Sequence, residues 1–343
     1  MKRRLLLSIL LLPVLLYATA YDGTDDQLQG MGVSGIALGG GYGGMFANPA
    51  TLTGGAGTFS LMSRFNDSYE AGRTVINTPS SSVLASFRGN NLAFTMEMHN
   101  VMDERQTVSD GDQYKATAYT RLQLDWGYSF SRFSVGLSFK TTTSMQLSPA
   151  TINNGQRISD YIVQAFFERY EQVYGATSLT AGFGLYYDND WLTIGIVSNQ
   201  FALATTDGTI SFSFMDLYRS FGAGFAFSTP TYAPDSQLNF IKATFSAELL
   251  NAGDPDEAQT RAGLDLTFQL LPEYQVSLRT GYHDTKDGNG VQNLNLQTAY
   301  NSFGVGVRLG DFRLNLSTDI PITLYLGEEV SSIPFSLVFG YVK

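Results

Sequence analysis

Nine basic side chains lie on one parity of the short alternating stretches that run through this 343-residue chain: Arg64, Arg88, Arg121, Lys140, Lys242, Arg261, Arg279, Arg308 and Arg313. Five acidic ones, Glu97, Asp125, Glu248, Asp265 and Asp319, share that parity, leaving an excess of four positive charges. A guanidinium offers a two-pronged fork to a carboxylate, so a basic interior suits a path for an acidic headgroup, and these nine are the ligand-binding candidates. The same side chains also suit pairing with the acids across a narrow interior, and both readings stand at this point. Catalytic chemistry has little to draw on. The two histidines, His99 and His283, fall at strand ends on the same face, and His283-Asp284 fits either a rim hydrolase or ordinary rim polarity. A catalytic His needs a nucleophile and an orienting partner at hydrogen-bond distance, so the expectation is a protein that is not an enzyme. Asp284 to Asn289 lacks the EF-hand spacing and reads as a hairpin turn; neither metal nor cofactor is expected.

The elements that position these residues are β-strands. From Phe133 to Thr141, Phe133, Val135, Leu137 and Phe139 alternate with Ser134, Gly136, Ser138 and Lys140. From Gln259 to Phe268, Ala262, Leu264, Leu266 and Phe268 alternate with Arg261, Gly263, Asp265 and Thr267. Strand side chains point to opposite faces with period two, so each stretch has one apolar and one polar side. With the register set from the apolar residues alone, the charged residues named above all fall on the polar side; Arg219, near a strand end, is the exception. An apolar face toward lipid and a polar face toward a lumen is the pattern of a closed transmembrane antiparallel β-barrel.

Composition agrees. There are 19 Tyr and 24 Phe, suiting aromatic girdles at two membrane interfaces, and 35 Gly. Cysteine is absent, which excludes disulfide scaffolds, thiolate metal sites and a lipidated N-terminal Cys. No apolar run is long enough for a membrane-spanning helix. Lys2, Arg3 and Arg4, the apolar run Leu5 to Leu16 and Ala18-Thr19-Ala20 predict a cleaved signal peptide over residues 1–20. Removing its three basic residues leaves 18 Lys+Arg against 31 Asp+Glu, a charge of −13, which argues against nucleic-acid partners.

The predicted strands are 57–65, 82–88, 91–99, 118–130, 132–142, 177–187, 191–200, 217–228, 239–250, 259–269, 274–283, 296–308, 311–319 and 334–342. The pattern alone supports between about twelve and sixteen strands. Short turns at Gly89-Asn90-Asn91, Ser131, Asp188-Asn189-Asp190, Leu271-Pro272-Glu273 and Gly310 alternate with longer loops, so the short-turn end is expected to face the periplasm. The last strand keeps Phe335, Leu337, Phe339 and Tyr341 on one face and ends at Lys343 in place of a terminal Phe. In the longest loop, Ser144 to Ala176, Ile158, Tyr161, Ile162, Ala165, Phe166, Tyr170 and Val173 recur at helical spacing. They predict an external helix, with Tyr161, Ile162, Phe166 and Tyr170 either forming a lid or packing on the rim.

Ahead of the first strand, residues 21–55 are too Gly-rich for a stable helix and too small for a lipid-facing strand, and predict a compact segment ahead of the barrel of residues 56–343. Met31-Gly32, the run to Gly39-Gly40-Gly41 and then Asn48-Pro49-Ala50-Thr51-Leu52 resemble the N-terminal hatch of FadL-type outer-membrane transporters and their PorV-like relatives. The resemblance is specific over about twenty residues and architectural beyond them. It implies a fourteen-strand barrel with the hatch, including Met31, Gly32, Gly39, Gly40, Gly41, Asn48, Pro49 and Ala50, inside the lumen. It implies passage of long-chain fatty acids or other hydrophobic molecules, outer-membrane lipid and the barrel assembly machinery as partners, and the outer membrane of a diderm bacterium as location. Through the PorV-like relatives it implies, alternatively, a non-transporting adaptor for protein secretion or surface assembly. Asn48-Pro49 is expected to make a fixed turn, and the Gly cluster to let the segment pass close to the wall.

Overall fold

The computed structural model describes residues 35–38, 47–52, 58–70, 80–108, 111–152, 173–204, 210–212, 214–229, 241–254, 258–271, 273–284, 299–327 and 332–342. Its strands are β1 Thr58–Glu70, β2 Ser80–Arg88, β3 Leu92–Val108, β4 Gly111–Phe130, β5 Phe133–Ile152, β6 Val173–Asn189, β7 Leu192–Ala204, β8 Ile210–Phe212, β9 Phe221–Ser228, β10 Ile241–Leu250, β11 Gln259–Leu271, β12 Tyr274–Asp284, β13 Ala299–Leu309, β14 Phe312–Pro321 and β15 Ser332–Val342. All pairings are antiparallel, and β1 closes the ring against β15 with Phe65 opposite Leu337. β8 is a three-residue strand paired only to β7, so the barrel wall has fourteen strands. Closure pairs each wall strand on both sides and leaves no edge; in a bilayer an unpaired N–H or C=O costs several kcal/mol, so closed barrels suit that solvent.

The alternation read from sequence is the alternation of the wall. On β4, Leu122, Leu124, Trp126 and Tyr128 are exposed on the outer face while Gln123 and Asp125 are buried on the inner one. Aromatic residues crowd the short-turn end: Trp126 stacks on Tyr128, Phe130 on Phe133, Trp191 on Phe227, and Phe312 meets Tyr341 edge-on. Two-residue hairpins there join β4 to β5, β6 to β7 and β13 to β14, with Ser131, Asp190 and Gly310 at positive φ as such turns demand.

Three expectations are corrected. The strand predicted from residue 217 begins at Phe221, and α1, Phe214–Arg219, precedes it. The Ser220 N–H donates to the Asp216 carbonyl, and Asp216 in the first turn and Arg219 in the last complement the helix dipole. Arg219 is therefore a helix residue, paired with Asp254 at 3.5 Å, and breaks no strand alternation. The loop predicted over 144–176 is narrower, because β5 runs on to Ile152 and β6 starts at Val173. Val173 is thus a strand residue, opposite Gln146; Tyr161, Ile162, Phe166 and Tyr170 lie outside the described residues.

Candidate functional site

Gly136 on β5, Gly184 on β6 and Gly195 and Gly224 on β7 and β9 face inward and are buried, and the N-terminal segment lies against them. A Cβ at Gly136 would run into the backbone of Pro49 and Ala50, one at Gly184 into the Asn48 side chain, and one at Gly195 into the Ile36 carbonyl. Close approach is thus provided by glycines of the wall, where the sequence pointed to glycines of the segment; Met31, Gly32, Gly39, Gly40 and Gly41 lie outside the described residues.

Asn48 organises this contact. It is fully buried, and its Nδ2 donates to the Ile36 carbonyl and to the Leu185 carbonyl of the wall, each at 3.0 Å. Its Oδ1 accepts from the Ala50 N–H at 3.0 Å, and its carbonyl accepts from the Thr51 N–H and hydroxyl. Asn48 therefore caps the 3₁₀ turn Pro49–Leu52, and Pro49, which has no N–H to satisfy, occupies the first position. The carbonyls at the far end of that turn are taken by Arg88, whose Nη2 reaches Thr51 O at 3.2 Å and Leu52 O at 2.8 Å. Leu52 then packs on Met62, Leu84, Ala93 and Val338, an apolar cluster on the inner side of β1, β2, β3 and β15. At the other end of the segment, the Gly35 and Ile36 N–H groups donate to Glu248 of β10.

The remaining cations distribute as follows. Arg121 pairs with Glu97 at 3.1 Å, Arg279 with Asp265 at 3.1 Å, and Arg261 with Glu248 at 3.7 Å. Arg279 also donates to Asn315 at 2.8 Å. Lys140 is half-buried beside the Asp125 carboxylate, which both Gln123 and Ser138 hydrogen-bond. Arg308 and Arg313 sit opposite each other near the short-turn end, with Arg308 donating to Gly310 O, and Lys242 is exposed at the start of β10. Arg64 falls on β1, opposite Val338 and Ser82. Arg88, Arg121, Arg261 and Arg279 thus hold an acid or the N-terminal segment.

His283 is buried, stacked on Tyr300, with Nδ1 at 3.2 Å from Ser302 Oγ, which in turn donates to Asp319 at 2.5 Å. These are the residue types of a hydrolytic triad in the wrong order. Ser302 stands between the base and the acid and gives its proton to the Asp319 carboxylate, so His283 Nδ1 does not take that proton as a general base would. His99 lies on β3, paired with Tyr119 of β4. Among the described residues no group of acids and histidines is disposed to hold a metal.

Sequence reasoning missed the glycine-lined inner face, the apolar cluster beneath Leu52, and the two ends of the segment being held by opposite charges. Only the period-two placement of Arg88, Glu248 and Gly136 on the inner side was available as a signal.

No family model matches the chain, and no curated protein is similar to it in sequence. In structure it is similar to the CymD monoaromatic hydrocarbon channel, at 15% identity over 95% of this chain and 98% of that one, with a TM-score of 0.57. It is also similar to a TodX deltaS2S3 mutant monoaromatic hydrocarbon channel, at 14% identity, 94% and 99% coverage and a TM-score of 0.53. A Pseudomonas aeruginosa FadL homologue aligns at 10% identity, 95% and 99% coverage and a TM-score of 0.50. The first two of these neighbours are named as channels, and the likeness to all three is one of fold, which in this chain is a closed barrel with fourteen wall strands.

Proposed function

We propose that this protein is an outer-membrane channel of a diderm bacterium that admits hydrophobic or amphipathic small molecules through a barrel plugged by its own N-terminal segment. The observation that carries the reading is the burial of Ile36, Asn48 and Leu52 against inward-facing residues of a wall whose outer face is apolar. A membrane barrel filled by its own chain favours regulated passage of selected solutes over an open aqueous pore. The titles of the structural neighbours, monoaromatic hydrocarbon channels and a FadL homologue, support a hydrophobic cargo. Long-chain fatty acids are the amphipathic cargo to test, with the cations other than Arg88, Arg121, Arg261 and Arg279 as candidate headgroup contacts. Residues 1–20 act as the export signal, residues 21–55 as the hatch and residues 56–343 as the barrel, inserted into lipid by the barrel assembly machinery.

Uptake of labelled oleate and of labelled toluene is compared between cells carrying and lacking the protein. Faster uptake of either by the carrying cells is expected; equal rates for both refute transport.

One observation favours an adaptor of the PorV-like kind. β3 to β6 are 17, 20, 20 and 17 residues long, whereas a strand crosses the bilayer in about 9–11. The surplus continues past the crossing at the long-loop end as a raised sheet, a surface on which a secreted protein can dock. Stoichiometric co-purification with another protein from mild detergent, with no lipid in the lumen, selects this reading.

A further inference from the structure

Glu248 projects from β10 into the interior and is buried. Its Oε2 accepts hydrogen bonds from two successive backbone N–H groups, those of Gly35 and Ile36, both at 2.7 Å. Its Oε1 faces the Arg261 guanidinium at 3.7 Å, and Arg261 is steadied by donating to Gln259 Oε1 at 2.9 Å. Two adjacent N–H groups converging on one oxygen, with a guanidinium at the other, make a complete receptor for a carboxylate.

The wall is shaped for this contact. Glu248 stands opposite Gly224 in the β9–β10 register, and Gly224 opposite Gly195 in the β7–β9 register. With no side chain at either position, Ile36 lies flat on the sheet and its N–H reaches the carboxylate; a Cβ at Gly195 would run into the Ile36 carbonyl, and one at Gly224 would come 2.9 Å from Glu248 Cβ. Gly35 and Glu248 are 213 residues apart in sequence, so the contact belongs to the folded barrel and not to local chain geometry.

We infer that the Gly35 and Ile36 N–H groups together with Arg261 form a carboxylate-binding site, and that Glu248 is its resident ligand, supplied by the wall. Removal of the Glu248 side chain empties the site and frees one end of the N-terminal segment, and a small free carboxylate restores both. In the intact protein the site is filled, so a carboxylate-bearing cargo is not recognised there; this clause on cargo rests on the channel reading, whereas the site itself does not.

The test is chemical rescue in planar bilayers with the full-length protein. Glu248→Ala is expected to conduct for at least about tenfold more of the recording time than wild type, because two hydrogen bonds to a charged acceptor are lost. Sodium acetate or formate then lowers that conductance toward the wild-type level, while equimolar sodium chloride and acetamide do not. Glu248→Gln keeps an oxygen for the two N–H groups but sets an amide NH2 against the Arg261 guanidinium, so it is expected to conduct more than wild type and less than Glu248→Ala, and, because its side chain fills the site, not to respond to acetate. The same selectivity is read in detergent, where acetate raises the melting temperature of Glu248→Ala and leaves wild type unchanged, a readout independent of conductance. Glu248→Ala with wild-type conductance, or with conductance and melting temperature indifferent to acetate, overturns the inference. None of these readouts involves a hydrophobic cargo, so failure of the uptake assay refutes transport without touching the site.

Discussion

On the arc from β5 to β9 the inner face carries Gly136, Gly184, Gly195, Gly222 and Gly224, whereas from β11 to β14 it carries Arg261, Asp265, Arg279, His283, Asn315 and Asp319. The first arc also carries Ser134, Lys140, Thr180 and Tyr186, and the second has inward glycines of its own, Gly263, Gly281, Gly304 and Gly306; what sets the first apart is that it is bare where the backbone of the N-terminal segment lies on it. The second is furnished, and its side chains meet one another across strands: Arg279 bridges Asp265 and Asn315, and Ser302 bridges His283 and Asp319. A fourteen-strand wall encloses more room than small side chains fill, and this one fills it with borrowed main chain on one side and with paired charges on the other. Glu248 and Arg261 stand where the two arcs join and belong to both.

If the bare arc exists to receive the segment, removing the segment has the largest effect. Deleting residues 22–50 while keeping residues 1–21 is expected to leave a barrel that assembles, because strand pairing supplies its backbone hydrogen bonds, and to raise conductance for small ions severalfold. A deletion variant that inserts and conducts no more than wild type breaks the comparison at its root. Next come two glycine substitutions, one in each arc. Gly184→Leu collides with the Asn48 side chain and is expected to raise conductance with little change in melting temperature. Gly306→Leu meets the Arg279 and Asn315 side chains, and is expected to lower the melting temperature with conductance unchanged. The same pair of readouts on both variants decides whether the arcs differ in kind.

The furnished arc makes its own prediction. Arg279 and Asp265 are 8% and 4% exposed at the side chain, so Arg279→Met leaves a buried carboxylate that keeps the Thr267 hydroxyl as a donor but has lost the Arg279 cation. Breaking a buried pair in this way costs about 3–5 kcal/mol, most of it the penalty of the unpaired charge. Replacing both partners, Arg279→Met with Asp265→Leu, is expected to recover much of the loss. Urea unfolding in detergent measures both, and a double variant no more stable than the single one contradicts the assignment.

How much of this was legible follows from range. Period-two alternation is local, so the inner placement of Arg121, Asp125, Arg261 and Arg279 could be read directly. The turn at Asn48-Pro49 was equally local. Which acid each arginine meets depends on register, set by hairpins and closure, and Glu248 was legible as an interior acid but not as the partner of residues 213 positions away. Gly184 and Gly195 look like any strand glycine until something lies on them. Met62, Leu84 and Val338 depart from a polar interior because Leu52 covers them, which no pattern within their own strands reveals. At 214–219, Phe214, Met215, Leu217 and Tyr218 serve a strand or a short helix alike, and the hydrogen bond from Ser198 Oγ to the Leu217 carbonyl, which accompanies the helix, comes from β7.

The smallest effect belongs to an ion pair in neither arc. Arg219 at the end of α1 meets Asp254 at 3.5 Å, but its side chain is 58% exposed, so water and salt screen the attraction and ordering two side chains opposes it. Its position in the last helical turn adds a weak favourable interaction with the helix dipole, itself screened at the surface. Arg219→Ala is therefore expected to cost about 0–1 kcal/mol in the same urea unfolding experiment, and less as salt is raised. The Arg279→Met loss is expected to depend far less on salt, because that pair is buried. Equal losses for the two variants, or equal salt dependence, would mean that the furnished arc is as wet as the surface and that its charges do not fill the interior as packed side chains do.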